Sequence, residues 1–172
     1  MKDRHFNYIK DLTKYERQHT WEVNIGGLPV GGKNPIRIQT MTDTDTKDTE
    51  ALVEQIVRVI KAGAEYVRVT VKGMADAENL KNIKAELVSR GYNNPLIGDI
   101  HFNPKLAEIA AKSISKVRIN PGNFYDKRAQ FKNKIYSDDE YNQELVKIEE
   151  QFIPFLKLLK DTNTALRIGA NH

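Results

Sequence analysis

Residues 65–71 read Glu65-Tyr66-Val67-Arg68-Val69-Thr70-Val71, and residues 116–120 read Lys116-Val117-Arg118-Ile119-Asn120. Both stretches are strands by composition, β-branched residues alternating with polar ones. Successive strand side chains point to opposite faces, so Val67, Val69 and Val71 share one face while Tyr66, Arg68 and Thr70 share the other. The same split sets Val117 and Ile119 against Lys116, Arg118 and Asn120. It recurs with Arg37 and Gln39 in Ile36–Thr40, with Asp99 and His101 at the end of Pro95–Ile100, and with Arg167 in Thr164–Ile168. A doubly wound sheet carries helices on both faces and reads as nearly continuous apolar runs. One apolar face, and one polar face whose polar residues gather at strand C-termini, is the pattern of a (β/α)8 barrel with its site at the mouth.

The segments between these strands fit that reading. Leu52, Ile56, Val59 and Ile60 fall at helical spacing and are closed by Gly63. Leu80, Ile83, Leu87 and Val88 mark the inward side of a helix over Ala75–Arg90. Asn103-Pro104 is an N-cap followed by proline at the first helical position. Ser137 and Glu140 have capping-box spacing and open a long helix with the stripe Leu145, Ile148, Phe152, Phe155, Leu156 and Leu159. Pro154 predicts a kink or a split in that helix. Upstream, Trp21–Val30 around Gly26-Gly27 reads as a β-hairpin. Residues 1–20 are polar and read as an N-terminal arm or short helix.

The fold expected is therefore α/β: the first five β/α units of a TIM (β/α)8 barrel, preceded by a β-hairpin, with residues 21–172 as the N-terminal part of the barrel domain. A closed barrel takes about 250 residues, and this chain has 172. Its last strand has no helix after it to cover the edge, which predicts that the later strands lie outside this chain.

Three strands each carry one arginine among apolar residues: Arg68, Arg118 and Arg167. Arginine is costly to bury without an anion, and its planar fork suits phosphate or carboxylate. Three on one interior face predict a clamp on a phosphate or diphosphate; the bland alternative is salt bridging to acids such as Asp99. Asn120-Pro121-Gly122-Asn123 is good turn chemistry and can also present backbone N–H groups to an anion. Asp99 and His101 are the candidates for an acid–base pair or metal ligands. The run Thr42–Thr49 is acidic and hydroxyl-rich, and helix N-capping explains it more simply than metal binding.

A net charge of +4, with acids and bases interspersed, argues against a nucleic-acid surface. No apolar run is long enough to span a bilayer, and the N-terminus lacks a signal peptide's apolar stretch, so a cytoplasmic location is expected. There is no cysteine, hence no disulfide, thiol nucleophile or thiolate-held metal within this chain.

Taken together, Ile38–Asp48 (IQTMTDTDTKD), Ala62–Val71 (AGAEYVRVTV), Pro95–Ala107 (PLIGDIHFNPKLA), Lys116–Asn123 (KVRINPGN) and Leu166–His172 (LRIGANH) resemble the IspG (GcpE) family in order and spacing. That family comprises the 4-hydroxy-3-methylbut-2-en-1-yl diphosphate synthases of non-mevalonate isoprenoid biosynthesis. The resemblance implies reductive opening of 2-C-methyl-D-erythritol 2,4-cyclodiphosphate with electrons from ferredoxin or flavodoxin. It also implies a [4Fe–4S] cluster on a C-terminal domain, outside this chain, that closes over the barrel mouth in a homodimer. Motif by motif, Arg68, Arg118, Asn120, Arg167 and Asn171 fall where the family binds diphosphate, and Asp99 and His101 line the mouth. The long stretch between Asn123 and Arg167 resembles the form with an extra domain, found in plants and some bacteria. Without cysteines the chain by itself is expected to be inactive. Other readings are a different anion-binding barrel, such as a pterin-using synthase, a non-enzymatic basic module, or a half-barrel whose edges pair between copies.

Overall fold

The structure, a computed structural model, describes residues 11, 13–14, 19–101, 103–121 and 136–169. Most of the expected N-terminal arm lies outside the described residues. Two short strands, β1 (Val23–Ile25) and β2 (Leu28–Val30), pair antiparallel as the expected hairpin. The turn between them requires glycine twice, with φ of 56° at Gly26 and 92° at Gly27.

Five parallel strands follow: β3 (Gln39–Met41), β4 (Tyr66–Val71), β5 (Leu96–Ile100), β6 (Lys116–Ile119) and β7 (Ala165–Ile168). They lie in the sheet in sequence order, each paired with the next. That monotonic order has no switch point where a doubly wound sheet would reverse direction, and it is the winding of a barrel. The connections are α1 (Thr49–Lys61), α2 (Met74–Ser89), α3 (Pro104–Ala111) and, last, α4 (Asp138–Asp161).

Local chemistry sets these elements. Asp48 caps α1 by accepting from the Ala51 N–H at 3.0 Å, and Asn103 caps α3 by accepting from Lys105 N at 3.0 Å. Ser137 and Glu140 form the expected capping box on α4. The first barrel strand is shorter than the expected Ile36–Thr40 and begins at Gln39. The Glu65 carboxylate takes the Ile38 N–H at 2.9 Å and also binds Arg37 at 2.7 Å, so a side chain takes the place of a ladder acceptor for that N–H while the Ile38 carbonyl still accepts from Tyr66 N.

The core forms between helices and the outer sheet face. Val67, Val69, Val71, Leu96, Ile100, Val117 and Ile119 meet Leu52, Ile56, Leu80, Ile83, Leu87, Leu106 and Ala110. The side-chain parity read from the strands holds. On the opposite, inner face a smaller cluster joins Ile25, Leu28 and Val30 of the hairpin to Tyr66, Ile97 and Ala165. The hairpin thus plugs the N-terminal end of the inner face, and the Tyr66 hydroxyl donates to the Leu28 carbonyl at 2.6 Å.

Two helix expectations need correction. Val88 is exposed rather than inward. Helix α4 runs unbroken through Pro154; the carbonyl of Glu150, which proline deprives of its donor, lies on an exposed residue and can bind water. Of its predicted stripe, Phe155 and Leu159 are buried, whereas Leu145, Ile148 and Leu156 are exposed. Length explains this. Helix α3 has 8 residues and α4 has 24, which at the helical rise is about 12 Å against about 36 Å. Most of α4 extends past the neighbour that covers its end.

Candidate functional site

Strand register places the polar inner-face residues in rows. One row crosses Met41, Arg68, Ile97, Lys116 and Ala165; the next, nearer the strand C-termini, crosses Thr70, Asp99, Arg118 and Arg167. Among the described strand residues of these rows, four cations face a single carboxylate. Asp99 is 3% exposed and acts as the hub. It accepts from Arg68 Nη2 at 2.5 Å, with Arg118 Nη1 at 3.5 Å from its other oxygen and His101 Nε2 at 3.1 Å. Charge-assisted contacts of this kind hold each guanidinium plane in place.

Arg118 is buried and held on several sides. Its Nη1 lies 3.1 Å from His101 Nδ1 and 3.0 Å from Nε2, while Nη2 donates to the Gly169 carbonyl at 3.2 Å. A consistent assignment puts the imidazole proton on Nε2, donating to Asp99, and leaves the Nδ1 lone pair facing Arg118. Gly169 fits against this arginine so closely that a Cβ there would come within 2.6 Å of Nη2. Asn120 is buried beyond the end of β6.

The three arginines are therefore not equivalent. Arg68 and Arg118 share Asp99, the salt bridging weighed from sequence as the bland reading. Arg167 is exposed and has no ion pair among the described residues. The Arg68 Nε is buried and without a hydrogen-bond partner, a donor left over in the site. Lys116 lies half-buried beside them; burial first, then Arg167 and Arg68, pushes its ammonium below the ordinary value of 10.5. Asn171, Gly122 and Asn123 lie outside the described residues, so the expected nest at 120–123 is not described.

The loop from β3 to α1 is tied to β4. Thr42 N–H donates to the Arg68 carbonyl at 2.9 Å, and the Thr46 hydroxyl to the Thr70 carbonyl at 2.6 Å. Buried Gln55 accepts from Thr44 N at 3.0 Å and donates to Asp43. A cleft of about 310 Å³ opens beside Thr70, lined also by Asp43, Asp45 and Lys72. Asp48 does the capping expected of this run, and among the described residues no cluster of three or more His, Asp or Glu could hold a metal. Nor is any described helix long and apolar enough to cross a membrane.

Sequence reasoning missed two features of this face. Lys116 was on the inner face by alternation, but that it has no acidic partner among the described residues appears only in three dimensions. Gly169 looked like a turn residue, and nothing in sequence signals that it makes room for a guanidinium.

The family model for the GcpE TIM-barrel domain matches residues 20–172. A 4-hydroxy-3-methylbut-2-en-1-yl diphosphate synthase (flavodoxin) from Phocaeicola vulgatus is 57% identical over 162 residues, covering 94% of this chain and 26% of that protein. The chloroplastic ferredoxin-type synthase of Oryza sativa is 44% identical over 165 residues, covering 96% of this chain and 22% of that protein. The chain thus spans about a quarter of the length of these curated relatives. Among solved structures, a dihydropteroate synthase of Xanthomonas albilineans reaches a TM-score of 0.49 at 14% identity, over 87% of this chain and 65% of that one. A likeness of that size carries no conclusion about chemistry.

Proposed function

The chain belongs to the GcpE family, and from that premise we propose that it is the substrate-holding part of an oxidoreductase of isoprenoid biosynthesis. The reaction is reductive opening of 2-C-methyl-D-erythritol 2,4-cyclodiphosphate to 4-hydroxy-3-methylbut-2-enyl diphosphate. The ring C–O bond breaks with its electron pair kept by the diphosphate. The adjacent hydroxyl departs as water with one proton, and two electrons complete the new carbon–carbon double bond. The names of the relatives support flavodoxin or ferredoxin as the electron source. A homodimer is part of the same family reading.

One observation carries this reading: a cationic inner face of parallel strands, four cations against Asp99, with Arg118 and Arg167 in the row nearer the strand C-termini. The diphosphate gains one negative charge as the C–O bond breaks. Donors fixed before the reaction favour that gain, because they are already oriented when charge develops. Arg68, Arg118, Arg167 and Asn120 take the diphosphate, and Asn171 belongs to the same group by its place in the family motif. Asp99 and His101 keep the guanidinia aligned.

The family's [4Fe–4S] cluster does not fit the residues of this chain. There is no cysteine, and the described residues offer no metal-holding cluster. The ligands of such a cluster belong to parts of the whole protein outside this chain, and the chain by itself is proposed to be inactive.

The test is calorimetric binding of the cyclic diphosphate to the intact protein. Arg167→Ala and Arg118→Ala should each weaken binding by about 2–3 kcal/mol, the worth of a desolvated charge-assisted contact. Unchanged affinity in both would sink the proposal.

A further inference from the structure

We infer that Lys116 is an additional anion-contact residue of this site, forming its floor one row below Arg118 and Arg167. This rests on the diphosphate reading and deepens it. Lys116 stands on β6 with Arg118 on the same inner face, since Val117 and Ile119 point into the core. Its neighbours across the sheet in the same row are Ile97 and Ala165, both part of the apolar plug made by the hairpin. The ammonium therefore stands on an apolar floor and points where the arginines point.

What surrounds it is mostly positive. From β4 it faces Arg68 and Tyr66, from β7 Arg167, and along its own strand Arg118. From β5 and the residue that follows come Asp99 and His101. Asp99 is already engaged by Arg68, Arg118 and His101, and the Tyr66 hydroxyl is spent on Leu28. Lys116 itself makes no ion pair or hydrogen bond among the described residues. A half-buried ammonium beside two guanidinia with no acid of its own is an unfavourable arrangement in the free protein. An anion in the mouth relieves it. The cost is thus part of how the site is prepared for its ligand, and positions of this kind are where local rules are broken for function.

Lys116 also completes what the arginines leave open. Arg118 is occupied by Asp99, His101 and the Gly169 carbonyl. Arg68 has one arm on Asp99 and its Nε unpartnered. Of the four cations of these rows, Arg167 and Lys116 have no acidic partner among the described residues. They lie on adjacent strands, Arg167 two residues beyond Ala165, the residue that pairs with Lys116. Their side chains are long enough to meet on one diphosphate.

Burial and the two guanidinia lower the lysine below its ordinary 10.5, and a bound anion reverses the shift. Binding then draws in a proton on the alkaline side, where the free lysine has begun to lose its own. The sign for stability follows. The folded state is penalised below the lowered pKa, and the penalty fades as pH rises to 10.5.

The experiment uses the intact protein and inorganic pyrophosphate, titrated calorimetrically between neutral and alkaline pH in buffers of different ionisation enthalpy. Wild type should take up a proton on binding at alkaline pH. Lys116→Met should weaken binding about 10-fold, abolish the proton uptake and raise the thermal midpoint at neutral pH. Lys116→Arg should retain affinity and lose the proton uptake. If Lys116→Met binds like wild type while Arg167→Ala does not, the floor is wrong and the diphosphate site stands. If neither variant changes binding, both readings fail. Absence of proton uptake in wild type overturns the inference without any variant.

Discussion

Replacing Asp99 with asparagine tests whether one carboxylate organises the cationic face. The exchange keeps the side-chain volume and removes the charge. Arg68 and Arg118, with side chains 22% and 9% exposed, then lose their shared counter-ion. Removing one partner of a buried pair costs about 3–5 kcal/mol, because the other is left uncompensated. Opposite unit charges about 4 Å apart at an effective dielectric of about 20 give about 4 kcal/mol, in agreement. The amide oxygen can still accept one hydrogen bond, so the lower end, about 3 kcal/mol, is expected. That corresponds to roughly a hundredfold in an opening equilibrium. Hydrogen–deuterium exchange of the intact protein reads it directly. Amides of β4, β5 and β6 should exchange on the order of 100-fold faster in Asp99→Asn. Saturating pyrophosphate should restore protection more in the variant than in wild type, since its guanidinia are free to take the anion. Acceleration below about threefold, on the same scale, would refute Asp99 as the counter-ion. It would mean that the arginines are aligned by something else.

Two further tests address neighbouring contacts. Gly169→Ala places a Cβ 2.8 Å from Arg118 Cζ, so the guanidinium must swing away from the Gly169 carbonyl and from Asp99. The flexible side chain yields more cheaply than the backbone. The thermal midpoint should fall little while pyrophosphate affinity drops about tenfold, the worth of one charge-assisted contact; normal affinity would show that Arg118 is not held as described. Glu65 gives a pH test: the Ile38 N–H and then Arg37 hold its carboxyl below the ordinary 4.5. Its contribution is complete above 4.5 and is lost as pH falls through the lowered value. The opening equilibrium of residues 28–38, taken as exchange corrected for the intrinsic amide rate at each pH, should therefore rise on acidification in wild type and be insensitive to acid in Glu65→Gln.

The strands and their faces were legible because alternation is a local property. Val67, Val69 and Val71 had to share a side, and so did Arg68 and Thr70. Helix caps at Asn103 and Ser137, and capping somewhere in the run Thr42–Thr49, were legible for the same reason, since the capping group and the capped amide are two or three residues apart. Expectations failed where the answer depended on what lies alongside. The stripe on α4 is regular, but only Phe155 and Leu159 of it are buried and Phe152 packs partly against the core, because α3 is short. Val88 has helical spacing and no element against it. Arg68, Arg118 and Arg167 look alike in sequence, yet two are paired through Asp99 and one is not.

By itself, the sequence determined the winding of strands and helices, the polar inner face, the family, and the cations of that face. These follow from periodicity, residue type and motif order, all written along the chain. Only the tertiary structure decided which cations are already neutralised and which remain available. It set Asp99 between Arg68 and Arg118, placed Gly169 under a guanidinium, and left Lys116 without an acid among the described residues. Ion pairing depends on distances across strands 19 and 31 residues apart, and no pattern within a single strand encodes them.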